Sequence, residues 1–179
     1  DFYFDFVSPY SFLAHKEVRK IENQEGIKIK YNPVLLGGLH NLHGIKAPAF
    51  IPAKAKHMIK DCKLIAEKNN IKFKFNSYFP IRSLNLMRGV LVAEEDNIKS
   101  YYIDNIFNTI WQDGLNMNDE IIIQKVLKNL SVNPKTFALR STSSSIKDSL
   151  RKKTSDAYQK GKYGSPSFVA NNRIFWGQD

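Results

Sequence analysis

Residues 1–14 read DFYFDFVSPYSFLA, and the junction inside this stretch decides how the chain begins. Residues 1–7 are rich in aromatics and predict a strand. Residues 9–24 predict a helix, with Ala14, Val18 and Ile21 at helical spacing and Gly26 as its stop. Between them, Ser8 is a favoured N-cap and Pro9 suits the first helical position. Capping is the plain structural role of Ser8. The same geometry gathers free N–H groups and the positive end of the helix dipole where an anion would sit. Ser8 has no base beside it in sequence, so it does not read as a nucleophile.

Working outward, IKIKYNPVLL (27–36) alternates Ile27, Ile29 and Tyr31 with lysines, then turns apolar. It predicts a second strand, parallel to the first after a helical crossover. GGLHNLHGIKAP (37–48) reads as a loop. Residues 50–69, 82–95, 98–112, 119–130 and 143–161 read as helices, punctuated by Pro80, Asn97, Gly114 and Pro134. FKFN (73–76) is a short extended piece, and STSSS (141–145) reads as the cap of the helix after it. At the end, SFVA (167–170) and RIFW (173–176) flank Asn171-Asn172, a hairpin signal. The order is β-α-β, a block of helices, then α-β-β. That is an α/β fold interrupted by an all-helical insertion.

Composition bounds the function. The 179 residues are 42% apolar, enough for a core, and no apolar run reaches the roughly 18 residues of a membrane span. The acidic, strand-like start does not read as a signal peptide. The one cysteine, Cys62, has no partner for an internal disulfide, which points to a reducing, cytoplasmic setting. Net charge is +10. Residues 46–74 carry eight Lys against two acids, and residues 135–162 carry eight Lys or Arg against two acids. Such runs are solvated helix faces or anion-attracting surfaces. No RNP, zinc or P-loop pattern accompanies them. Neither nucleic acid nor membrane is therefore expected as a partner, and no metal.

Three more segments carry candidate chemistry. YGSPSFV (163–169) places Pro166 just before a strand, either as an ordinary turn or as a cis-proline loop opposite the first helix. On the helix PAKAKHMIKDCKLIA (52–66), Lys54 and Asp61 are seven apart and share one face; Ala55, Met58, Cys62 and Ile65 form its apolar stripe. FWGQD (175–179) ends in Gln178 and Asp179, and Asp179 is otherwise a plain N-cap.

These segments, DFYFDFVSPYSFLA, PAKAKHMIKD, YGSPSFV and FWGQD in this order, resemble the 2-hydroxychromene-2-carboxylate isomerases, whose close relatives are the kappa-class glutathione transferases. The resemblance spans nearly the whole chain. It implies a thioredoxin-like fold, discontinuous over 1–40 and 143–179, with a helical insertion over 41–142. It implies glutathione as cofactor and a homodimer. Ser8 matches the serine that hydrogen-bonds the glutathione sulfur. Lys54 matches the lysine at the glycyl carboxylate, and Asp61 a helix residue near the ligand. Ser165, before Pro166, offers its main chain to the cysteinyl part. Gln178 and Asp179 match the pair at the γ-glutamyl end. Tyr10, Ser11 and Trp111 are candidates for the substrate side, with Tyr78 and Phe79 beside them, although such aromatics also serve as core. The chain departs from the family at Ile45, where the family has Asn within a Gly-Asn-Lys/Arg-Pro-Pro stretch; this removes one polar contact to glutathione. The family also continues beyond GQD with Arg and a further helix.

The implied activity is glutathione-dependent cis-trans isomerisation of an unsaturated aromatic carboxylate. A kappa-like transferase or peroxidase, and a peptide-holding module without catalysis, fit the same segments. A thiol-disulfide oxidoreductase does not, because Ser8 and Ser11 stand where that chemistry needs two cysteines.

Overall fold

In a computed structural model, residues 1–178 are described. Four strands form one sheet, β1 (Phe2–Phe4), β2 (Tyr31–Pro33), β3 (Ser167–Ala170) and β4 (Arg173–Trp176), in the order β2-β1-β3-β4. β1 runs parallel to β2 and antiparallel to β3, and β3 and β4 form the hairpin. Its turn residues Asn171 and Asn172 have φ of 48° and 61°, the left-handed pair that a two-residue hairpin requires.

The first helix, α1 (Pro9–Glu25), follows β1 and ends on Gly26 at φ 66°. After β2 come α2 (Leu36–His43), α3 (Pro52–Lys68), α4 (Leu84–Glu95), α5 (Lys99–Trp111), α6 (Glu120–Asn129), α7 (Pro134–Ser141) and α8 (Ser144–Gln159). The even residues of the first strand segment, Phe2, Phe4 and Phe6, are wholly buried and pack with Phe12 and Phe107 into the main core. The opposite face carries Tyr3 against Val34, Leu39 and Ala157, between the sheet and the α2–α8 pair. The helices between the sheet segments contribute Cys62, Val90, Ile106 and Phe137 to the same continuous core as Phe2 and Phe4.

Three expectations are corrected. The second strand is shorter than 27–36. β1 pairs only from Phe2↔Tyr31 to Phe4↔Pro33, and the Ile29 N–H turns to the Glu22 carboxylate instead. The segment 37–48 is not all loop: α2 occupies 36–43. Its two glycines and missing local cap hid it, because its cap comes from elsewhere in the chain. The Leu36 N–H donates to the buried Asp5 carboxylate at 2.7 Å. Finally, Pro134 opens α7 rather than only punctuating. Asn133 accepts from the N–H groups of Lys135 and Thr136, an Asn-Pro start visible in sequence.

Candidate active site

The N-terminus of α1 meets the loop before β3. Ser8 has the extended backbone of an N-cap, and its Oγ accepts from the Ser11 N–H at 3.1 Å. The same hydroxyl donates to the Ser165 carbonyl oxygen at 2.9 Å. Ser11 and Ser165 share a hydroxyl–hydroxyl bond of 2.8 Å, and the Ser165–Pro166 peptide is cis. The resemblance implies main-chain contacts for Ser165; in the structure its side chain meets Ser11. In Ser8 the hydroxyl lone pair serves the helix while the proton is aimed at the loop.

The turn carrying Ser8 is held from several elements. The Asp5 carboxylate accepts from Val7 N–H at 3.0 Å as well as from Leu36 N–H, and the Ser8 N–H donates to Asp5 O at 3.1 Å. Burial pushes the Asp5 carboxyl upward, against the opposing pull of the Leu36, Ser83 and Val7 donors. The Phe6 N–H points at Met87 Sδ, and the Phe6 carbonyl accepts from the Trp111 indole N–H at 2.8 Å. Asp5 was missed in the sequence; a lone acid inside FYFDFV was the available signal.

Trp111 is therefore a correction. It is wholly buried, among Phe73, Phe75 and Phe79, and has no surface to offer a substrate. Phe79 is half-buried in that ring cluster, while Tyr78 is exposed. Ser11 is also fully buried. Tyr10 is half-buried, and its hydroxyl donates to Asp61 at 2.7 Å, which brings Asp61 on α3 beside the start of α1. Burial first, and Asp61 next, push the Tyr10 phenol upward, so it stays protonated. Neighbouring Cys62 is pushed up to about 12, chiefly by burial and then by the Asp61 charge, with the Tyr10 hydrogen bond opposing. Such a thiol is inert at neutral pH.

Lys54 lies exposed in the first turn of α3 and makes no ion pair among the described residues. Ile45 is exposed, and its side chain presents no polar group. The Gly177 N–H donates to the Pro166 carbonyl at 3.2 Å, so half-buried Gln178 follows directly beside the loop. Asp179 lies outside the described residues. Among the described residues, no group of three or more His, Cys, Asp or Glu is arranged to hold a metal ion, and no helix is long and apolar enough to cross a membrane.

The amino-acid sequence that builds this site matches a protein-family model along its whole length. The family model is that of the DSBA-like thioredoxin domain, and it matches residues 1–179. The chain belongs to the DSBA-like thioredoxin family. The 2-hydroxychromene-2-carboxylate isomerase of Sphingobium xenophagum is 25% identical to this DSBA-like chain over 181 residues, covering 100% of it and 92% of that protein. Glutathione S-transferase kappa 1 of Caenorhabditis elegans is 27% identical over 175 residues, covering 93% of the chain and 77% of that protein. A solved 2-hydroxychromene-2-carboxylate isomerase structure superposes with a TM-score of 0.90 at 23% identity, covering 99% of the chain and 88% of that structure. Within the DSBA-like family, this chain is thus related to isomerases and glutathione transferases, and the fold is shared at high similarity.

Proposed function

We propose that the protein is a glutathione-dependent isomerase of the 2-hydroxychromene-2-carboxylate type, acting on a small unsaturated aromatic carboxylate. The observation that carries this reading is the joined hydroxyl set of Ser8, Ser165 and Ser11 at the N-terminus of α1, in a DSBA-like fold with no cysteine there. The donors present suit a thiolate brought by another molecule. The Ser8 proton rests on a neutral carbonyl, and a charged sulfur is a stronger acceptor than a neutral oxygen.

Glutathione, when bound, supplies a thiolate that adds reversibly to a substrate double bond and lets that bond rotate. The chain does the rest. Ser8 turns its O–H from Ser165 toward the sulfur, contributing roughly 1.5–3 kcal/mol to the charged form. The start of α1 adds about 0.3–1 kcal/mol through its dipole. A thiol near 8.5 would thereby fall by roughly one to three units. The Ser165 main chain would receive the cysteinyl part. Lys54 would hold the glycyl carboxylate, and Gln178 with Asp179 the γ-glutamyl end. Asp61 would stand nearby, held by Tyr10. The lone buried Cys62 supports a reducing, cytoplasmic setting, and the family resemblance supports a homodimer.

The kappa-class relative favours a second reading, a transferase or peroxidase at the same site. The test is a glutathione titration followed by thiolate ultraviolet absorbance, on the wild type and Ser8→Ala, then activity with chromene carboxylates against electrophilic and peroxide substrates. Saturable absorbance that weakens in Ser8→Ala, with isomerisation, is the expected result. Thiolate formation with conjugation alone moves the assignment to a transferase. No absorbance leaves a peptide-holding module, with Ile45 marking the loss of the cofactor.

A further inference from the structure

Helix α3 has a face that the site does not use. With 3.6 residues per turn, each residue advances about 100°, so Lys56, Lys60 and Lys63 fall within about 60° of one another. Lys63 stands about 160° around the helix from Asp61, the residue that meets Tyr10. The buried stripe of α3 is Met58, Cys62 and Ala66. The three lysines thus point away from both the core and the α1 contact, and all three are exposed.

Their charge is not compensated locally. Between residues 46 and 74 there are eight lysines, no arginine and two acids, and one of those acids, Asp61, is engaged by Tyr10. None of the eight makes an ion pair among the described residues. The other basic segment differs: on α8, Asp148 pairs with Arg151 and Asp156 with Lys152. Exposed apolar side chains lie nearby in the chain. Leu64, beside Lys60 and Lys63 on α3, is 64% exposed, and Phe50, just before α3, is 60% exposed.

We propose that this face of α3 is a docking surface for an anionic phospholipid bilayer, with the helix lying in the interfacial plane. Lysines are compact, strongly hydrated point charges that suit a diffuse anionic surface; bidentate reading of nucleic-acid phosphates and bases favours arginine, and this segment has none. Exposed Leu64 and Phe50 would enter the headgroup–acyl boundary, where a purely ionic partner gives them no role. Docking of this kind needs no membrane-crossing helix, so it is compatible with the chain having none among its described residues. It is also independent of the glutathione reading, because Lys54 takes no part.

The test is co-sedimentation of the full chain with phosphatidylcholine vesicles, with and without phosphatidylglycerol, at low and high salt. Binding only to the anionic vesicles, weakened by salt, is expected. Lys56→Glu/Lys60→Glu/Lys63→Glu should lower partitioning by more than about a hundredfold. Leu64→Ser with Phe50→Ser should lower it several-fold at unchanged charge. Circular dichroism melts are the check that these exposed substitutions leave the fold intact. Lys147→Glu/Lys153→Glu/Lys160→Glu makes the same change in net charge on the other basic segment. Equal loss in that variant overturns the proposal, since net charge alone would then account for binding. Tighter binding to a mixed-sequence DNA duplex, insensitive to Leu64→Ser, also overturns it in favour of nucleic acid.

Discussion

The indole N–H of Trp111, at the end of α5, donates to the carbonyl oxygen of Phe6 at 2.8 Å, two residues before Ser8. A helix between the sheet segments thus holds the turn that presents the candidate site. The Phe6 N–H faces Met87 on α4, and Val7 N–H is taken by Asp5. Groups locked in this way lose little freedom on ligand binding, which is the physical content of preorganisation.

Trp111→Phe tests that coupling. It removes the donor to Phe6 and leaves a void among Phe73, Phe75 and Phe79. We expect about 2–4 kcal/mol of destabilisation in denaturant unfolding. In the folded variant, the apparent pKa of bound glutathione should rise. A stability loss with an unmoved thiol titration would make Trp111 a core residue alone.

Ser8→Ala separates capping from ligand chemistry. Loss of the cap costs about 1 kcal/mol of stability. Loss of the hydroxyl proton should raise the pKa of the bound thiol by roughly one to two units. Ser8→Gly should lose little of the cap yet show the same thiol shift, because glycine is tolerated at the N-cap. Thiolate absorbance against pH, beside thermal melts, reads both effects.

Tyr10→Phe leaves Asp61 without the Tyr10 hydroxyl as its hydrogen-bond donor, at a half-buried position between α1 and α3. About 1 kcal/mol of stability should be lost, and the α1–α3 contact should loosen. Faster exchange of amide hydrogens in α3, with the other helices unchanged, is the expected signature. Uniform exchange across the chain would contradict it.

Acid sensitivity should trace to His15. Its ring is buried and bonded to the Tyr31 hydroxyl at 2.8 Å and to Asp104 at 2.9 Å. Burial is the largest influence and lowers its pKa from 6.5, although Asp104 opposes. The unfolded chain therefore binds the proton first as pH falls. Stability is fully present above pH 6.5 and declines as pH drops toward the folded value. Asp104, whose pKa is lowered from 3.8, loses its contribution only below that value. Asp5, raised by burial, acts in the opposite sense as pH rises above 3.8. The His15 contribution is thus read as a difference: the urea midpoint of the wild type should fall more steeply below pH 6.5 than that of His15→Gln. Parallel curves would remove His15 from the account.

Much of the frame was readable because its signals are local. Ser8-Pro9 and Gly26 mark both ends of α1, and Asn171-Asn172 marks the hairpin turn. The α2 helix was not readable, since Gly37 and Gly38 weaken its propensity and its N–H partner, Asp5, lies 31 residues away. The role of Trp111 was hidden for the same kind of reason. An aromatic at helical spacing looks alike whether it lines a cleft or a core.

By itself, the sequence determined where chain direction changes, which faces are apolar, and that serines stand at the head of the first helix. Capping, turn chemistry and hydrophobic period act within a few residues, so they can be read along the chain. Only the tertiary structure decided what those serines face. Ser8 meets the carbonyl of Ser165 across 157 residues, and Trp111 reaches Phe6 across 105. Such bonds form only after burial brings distant segments together, and buried polar groups must then find partners wherever packing has placed them.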